Sequence, residues 1–176
     1  EHGCGSECGH VVIDLADNAP RDSLNKTGSL ESYCGAYAVV RRTKEALAAG
    51  RCSKLAAATE PLTPLAIAQA AEAGDELARE IVMEASRYLA FGIVTMVHSI
   101  DPDGVILGGA MNFGGAGHPL GDAFLAKVRD EVRPRLLEPL RDTVAIEFAS
   151  LGGDAGYIGA AGLARRKLKH EQAVSA

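Results

Sequence analysis

Glu7-Cys8-Gly9-His10-Val11-Val12-Ile13 is followed, after a polar stretch, by Gly28-Ser29-Leu30-Glu31, and the reading of this segment decides the rest. Two carboxylates and an imidazole stand among glycines that allow close approach of backbone to a ligand. Carboxylates accept hydrogen bonds from hydroxyls, and a histidine can donate and accept at once. Such a set suits a polyol better than a phosphate, which the two glutamates would repel. Taken singly, each residue has an ordinary explanation. Glu7 could be a solvated loop carboxylate, His10 a half-buried histidine at the start of a strand, and Glu31 a favourable charge at a helix N-terminus.

A chain of 176 residues suffices for one domain with a substantial core. Apolar residues make up 47% and charged residues 23%, as in ordinary globular chains, and the net charge of −5 argues against non-specific nucleic-acid binding. The longest apolar run, near Phe91 to Val97, is far short of the roughly 20 residues a membrane span needs. No secretory leader pattern is visible, so a cytoplasmic location with reduced thiols is expected for Cys4, Cys8, Cys34 and Cys52. Cys4-x3-Cys8-x-His10 invites a zinc reading, but those spacings match no common closed site.

In chain order, residues 10–15 read as a short buried strand and 16–28 as a loop rich in Asp, Asn, Pro and Gly. Ser29 caps an expected helix from Leu30 to Ala49, stopped by Gly50. Thr63 caps a second helix with Pro64 in its first turn; Gly74 closes it and Asp75 caps the next. That next helix, Glu76 to about Ile100, is the longest, and its second half is apolar nearly all round, which predicts burial at the centre of the domain. Asp101-Pro102-Asp103-Gly104 is a tight turn leading into a buried strand, Val105-Ile106-Leu107, that ends in Gly108-Gly109. A helix over about 120–133, an alternating strand over 144–148, a glycine-rich turn with Asp154 as helix cap, and a helix from Tyr157 to about Lys169 complete the pattern. The tail beyond His170 is expected to fray. Strands alternating with helices predict an α/β domain with a short mixed sheet packed by helices.

Three segments together resemble the ROK family (repressor, open reading frame, kinase). They are Glu7-Cys8-Gly9-His10 with Gly28-Ser29-Leu30-Glu31, then Asp101-Pro102-Asp103-Gly104-Val105-Ile106-Leu107-Gly108-Gly109-Ala110, then Leu151-Gly152-Gly153-Asp154-Ala155-Gly156. The resemblance implies the actin-like, ribonuclease-H-like ATPase fold, with residues 1–176 as a single domain, its larger C-terminal lobe. It implies ATP-dependent phosphorylation of a hexose, at O6 in this reading, with Glu7, His10 and Glu31 on the sugar hydroxyls and Gly108, Gly109 and Ala110 beside the adenosine. Further expectations are ATP and Mg2+ as cofactors, cytoplasmic homo-oligomers, and no nucleic-acid or membrane partner. A sugar-sensing repressor or a non-catalytic sugar-binding fragment are the alternatives.

Two departures from the family pattern carry further expectations. Many members bind zinc through three cysteines in the loop before the helix glutamate, together with the sugar histidine. Here that loop has none: Ser29 takes the place of the last cysteine, and Pro20 and Asp22 lie near the other two. No zinc is therefore expected, which leaves the partner of His10 unidentified. Secondly, the family's base aspartate and its Asp-x-Gly-Gly-Thr phosphate loop are not among these residues. The chain is expected to lack a catalytic residue of its own and to be inactive alone.

Overall fold

The computed structural model describes residues 7–109 and 112–174. Six helices and two strands follow in order: α1 (Leu30–Cys34), α2 (Ala36–Ala48), α3 (Pro64–Glu72), α4 (Glu76–Ile100), β1 (Gly104–Leu107), α5 (Pro119–Val132), β2 (Ala145–Phe148) and α6 (Ala155–Val174).

α4 is the spine. Its N-cap Asp75 accepts from the Ala78 amide at 2.9 Å, and its apolar stripe (Leu77, Ile81, Val82, Ala85, Ile93, Val97) is buried. Leu120, Phe124, Val128 and Val132 of α5 recur every fourth residue, as one face of a helix requires, and join that core with Ile67 and Ala71 of α3 and Val39 of α2. Each of the Leu, Ile, Val and Phe side chains among them contributes about 1.5–3 kcal/mol by leaving water. The second half of α4 is less enclosed than its sequence predicts: Phe91, Thr95 and Ile100 are exposed, and the Arg135 guanidinium lies 5.2 Å from the centre of the Phe91 ring.

The expected helix from Leu30 to Ala49 is two helices. Gly35 is extended at their junction (φ −67°, ψ 163°), so α1 is a separate short turn. Glycine disfavours helix by about 1 kcal/mol relative to alanine, and here there is also no room for a side chain, since a Cβ would stand 2.7 Å from the Glu31 carbonyl oxygen. α1 docks on α4 through Leu30, whose methyl occupies the space a side chain at Gly92 would need.

β1 and β2 pair in parallel, Leu107 opposite Phe148, across the α5 connection. β1 is not buried as expected: Ile106 is exposed on the face away from α5, while Ile146 of β2 points into the core. The expected strand over 10–15 is absent. Cys8–His10 form a 3-10 turn, and the chain then runs extended with one isolated bridge, Val12 to Ser29. Val12 and Leu15 are exposed, so the apolar run lacks the cover that would make it a central strand. A 3-10 turn ending at Asp154 leads directly into α6. The tail expected to fray from His170 instead continues as α6 to Val174, with residues 155–172 exposed throughout. No helix among the described residues is long and apolar enough to cross a membrane.

Candidate functional site

The loop over 14–28 folds back on the extended chain before it. Gly28 receives the amides of Ile13 (2.8 Å) and Asp14 (3.2 Å) at its carbonyl and donates its own to Pro20 (2.9 Å). Its φ of +71° suits glycine, and a Cβ would stand 1.9 Å from the Asp14 carbonyl oxygen. This fold-back sets Ser29, the cap of α1, next to Val12, so that His10 and Glu31 face one another.

Their polar atoms meet through a third residue. Asp22, whose side chain is fully enclosed, accepts from His10 Nδ1 at 2.8 Å, and Glu31 Oε2 lies 3.6 Å from the same nitrogen. His10, Asp22 and Glu31 each place an atom within 4.8 Å of the others. The second oxygen of Asp22 accepts the backbone amides of Leu24 (3.0 Å) and Lys26 (2.8 Å). Burial alone would raise the Asp22 carboxyl; donors from the Lys26 amide, Ser29, His10 and the Leu24 amide outweigh it and hold the group well below the usual carboxylate range. Ser23, the next residue, donates to both oxygens of Glu31 at 3.1 and 3.2 Å. On the other flank Tyr33 donates to the Asp14 carboxylate.

Of the three residues expected on a sugar, His10 and Glu31 therefore share one polar wall. Glu7 precedes the 3-10 turn, exposed, its carbonyl taking the His10 amide at 3.0 Å. Gly9 approaches the same wall, since a Cβ there would lie 3.7 Å from the Cβ of Glu31. Asp22 and Ser23 are the residues the sequence reading missed. The signal was present in Asp22-Ser23-Leu24-Asn25, a side chain able to close a turn on its own backbone in a loop without cysteines.

The second expected site lies at the carboxyl end of the sheet. Gly108 and Gly109 follow β1 directly and are exposed; Gly109 has φ +85° and open space where a Cβ would stand. The Ala149 amide bonds to the Leu107 carbonyl at 2.8 Å, so parallel pairing brings the turn over 150–154 to the same sheet end as the two glycines. Open α/β sheets bind ligands at that end. Ala110 lies outside the described residues. Among the described cysteines, Cys8, Cys34 and Cys52 are free, and burial pushes the Cys34 thiol up to about 12; Cys4 lies outside the described residues.

Residues 1–167 match the profile of the ROK family. The chain is 27% identical over 169 residues to a glucokinase from Halalkalibacterium halodurans, covering 94% of this chain and 49% of that protein. It is 25% identical over 159 residues to a xylose repressor from Caldicellulosiruptor bescii, covering 89% of this chain and 38% of the repressor. A solved ROK family glucokinase from Streptomyces griseus, in complex with glucose and AMPPNP, aligns with a TM-score of 0.71 at 28% identity over 92% of this chain and 52% of its own. The chain thus spans about half the length of the glucokinases it matches, and the α/β fold is the one those kinases share.

Proposed function

The chain belongs to the ROK family, and on that premise we propose that residues 1–176 form the larger, C-terminal lobe of an ATP-dependent hexose kinase. The observation that carries this reading is the shared polar wall of His10 and Glu31, 3.6 Å apart, each held by its own loop partner. Glu31 accepts hydrogen bonds from ring hydroxyls, His10 orients a further hydroxyl, and Glu7 is assigned a sugar hydroxyl on the family resemblance alone. The similarity to a kinase solved with glucose and AMPPNP supports a hexose and a nucleotide as the two ligands.

Gly108 and Gly109 have the chemistry to lie against a nucleoside, being exposed backbone at the sheet end where a side chain would intrude. With Ala110 they form the adenosine-side wall in this reading. ATP with Mg2+ supplies the γ-phosphoryl group and neutralises its charge. The base aspartate that takes the proton from the accepting hydroxyl, O6, is outside these residues, so the chain by itself is inactive. A structural zinc does not belong to the proposal. The loop over 16–28 has no cysteine to join His10 as a ligand. Self-association and a cytoplasmic setting complete the reading.

The test is a coupled ADP-release assay on the intact gene product with glucose, mannose and N-acetylhexosamines. Hexose-dependent release is expected, with KM for the sugar raised roughly tenfold or more in Glu31→Gln, since a charged acceptor contributes more than a neutral one. ATP turnover indifferent to every hexose would refute the kinase. The 25% identity to a xylose repressor favours a second reading, a sugar-responsive regulator. That reading expects no ADP release and DNA binding altered by sugar.

A further inference from the structure

We propose that Asp22 is a positioning residue that locks His10 in the Nδ1–H tautomer, leaving Nε2 as a hydrogen-bond acceptor for a ligand hydroxyl. The inference deepens the sugar-binding reading above and rests on it. One oxygen of Asp22 is occupied by the amides of Leu24 and Lys26 at 3.0 and 2.8 Å, and the other meets His10 Nδ1 at 2.8 Å. An ionised carboxylate only accepts, so the proton in that contact sits on Nδ1. The Glu31 carboxylate, 3.6 Å from the same nitrogen, favours the same assignment. A neutral imidazole protonated at Nδ1 presents a lone pair at Nε2.

Ser23 does the matching work one residue on. Its hydroxyl donates to both oxygens of Glu31, at 3.1 and 3.2 Å, and so orients a second acceptor. One dipeptide, Asp22-Ser23, thus sets the direction of both groups expected on the sugar. The ligand this wall selects is one that donates: neighbouring hydroxyls, each giving its proton, one to Nε2 and one to Glu31. A phosphorylated or O-methylated sugar at either position lacks that donor and is rejected.

The experiment uses the intact gene product labelled with 15N. Long-range proton–nitrogen correlation of the His10 ring is expected to show a protonated Nδ1 and a bare Nε2. In Asp22→Asn the amide oxygen can still take the Leu24 and Lys26 amides, while its NH2 faces Nδ1 and donates to it. The ring should then invert to the Nε2–H form, a change that loosened packing alone does not produce. Glucose titration by calorimetry is expected to weaken roughly tenfold in Asp22→Asn, one directed hydrogen bond being lost. A wild-type ring protonated at Nε2 overturns the lock whatever the sugar does. Inversion of the tautomer with glucose affinity unchanged overturns the positioning role. The expected ring form in a wild-type chain that takes up no glucose overturns the sugar role of the wall, and the spectra then separate that failure from a failure of the lock.

Discussion

Gly28→Ala is the substitution that most directly tests how the loop over 14–28 holds the site. Two costs apply. The first is conformational: at φ +71° an L side chain loses about 1–2 kcal/mol. The second is steric, because the new Cβ would stand 1.9 Å from the Asp14 carbonyl oxygen. Backbone cannot rotate aside as a side chain can, so relief means parting the two strands of the fold-back. That sacrifices the bonds of Gly28 to Ile13, Asp14 and Pro20, each contributing about 0.5–1.5 kcal/mol. The combined cost is about 2.5–6.5 kcal/mol. Gly50→Ala is the control: its φ is +80° but nothing lies within 4 Å of the added carbon, so only the conformational part remains. Thermal unfolding should separate the two variants, at about 2–4 °C per kcal/mol for a chain of this size. If the loop detaches without unfolding the core, amide exchange reports it instead: Leu24 and Lys26, whose amides bond to the enclosed Asp22, should lose protection. Gly28→Ala no less stable than Gly50→Ala, with those two amides still protected, would show that the fold-back does not depend on glycine at position 28.

Arg42 joins α1, α2 and α4 by donating to the carbonyls of Tyr33 (3.0 Å) and Ile81 (2.8 Å) and to Glu84 (2.8 Å), with its guanidinium 5.5 Å from the centre of the Tyr88 ring. Arg42→Met should cost about 2–4 kcal/mol in urea unfolding, because two carbonyls lose their donor while the apolar stem is kept. Arg42→Lys should recover less than half of that, because donors on one ammonium nitrogen cannot span the acceptors that Arg42 reaches from two separate nitrogens; full recovery would show that the fork geometry is irrelevant. Asp75 supplies the pH dependence. Burial raises its carboxyl, but the amides of Ala78 and Lys54 and the Ser53 hydroxyl outweigh burial and lower it below 3.8. A depressed folded pKa means stabilisation that is complete above the unfolded value and disappears as pH falls through the folded one. The stability gap between wild type and Asp75→Asn, about 1–2 kcal/mol, should thus be constant from pH 7 to about 4 and narrow below that, as read by urea midpoints.

What could be read from the sequence divides along a physical line. Periodicity and caps act within a few residues of the chain. α4 was therefore legible to its ends from Asp75 and the tight turn after Ile100, as was the Thr63-Pro64 start of α3. The break at Gly35 was not, because it depends on how closely the Glu31 carbonyl and the Tyr37 ring crowd that position. Exposure was misjudged for the same reason. Val12 and Ile106 are apolar and β-branched, which marks a strand residue, but whether another layer covers them is decided by what packs there. The site repeats the pattern. The family resemblance singles out His10 and Glu31, whereas Asp22 reads as one more polar loop residue. Its identity as the imidazole's partner comes from a fold-back that places residues 10, 22 and 31 together, and that fold-back turns on the backbone angle of Gly28. A carboxylate that has its own amide donors and is closed off from water can hold an imidazole at 2.8 Å. The same carboxylate left in solvent would exchange that contact for water at little cost. Enclosure by the loop is thus what makes Asp22 a partner of His10, and enclosure is a property no single stretch of sequence displays.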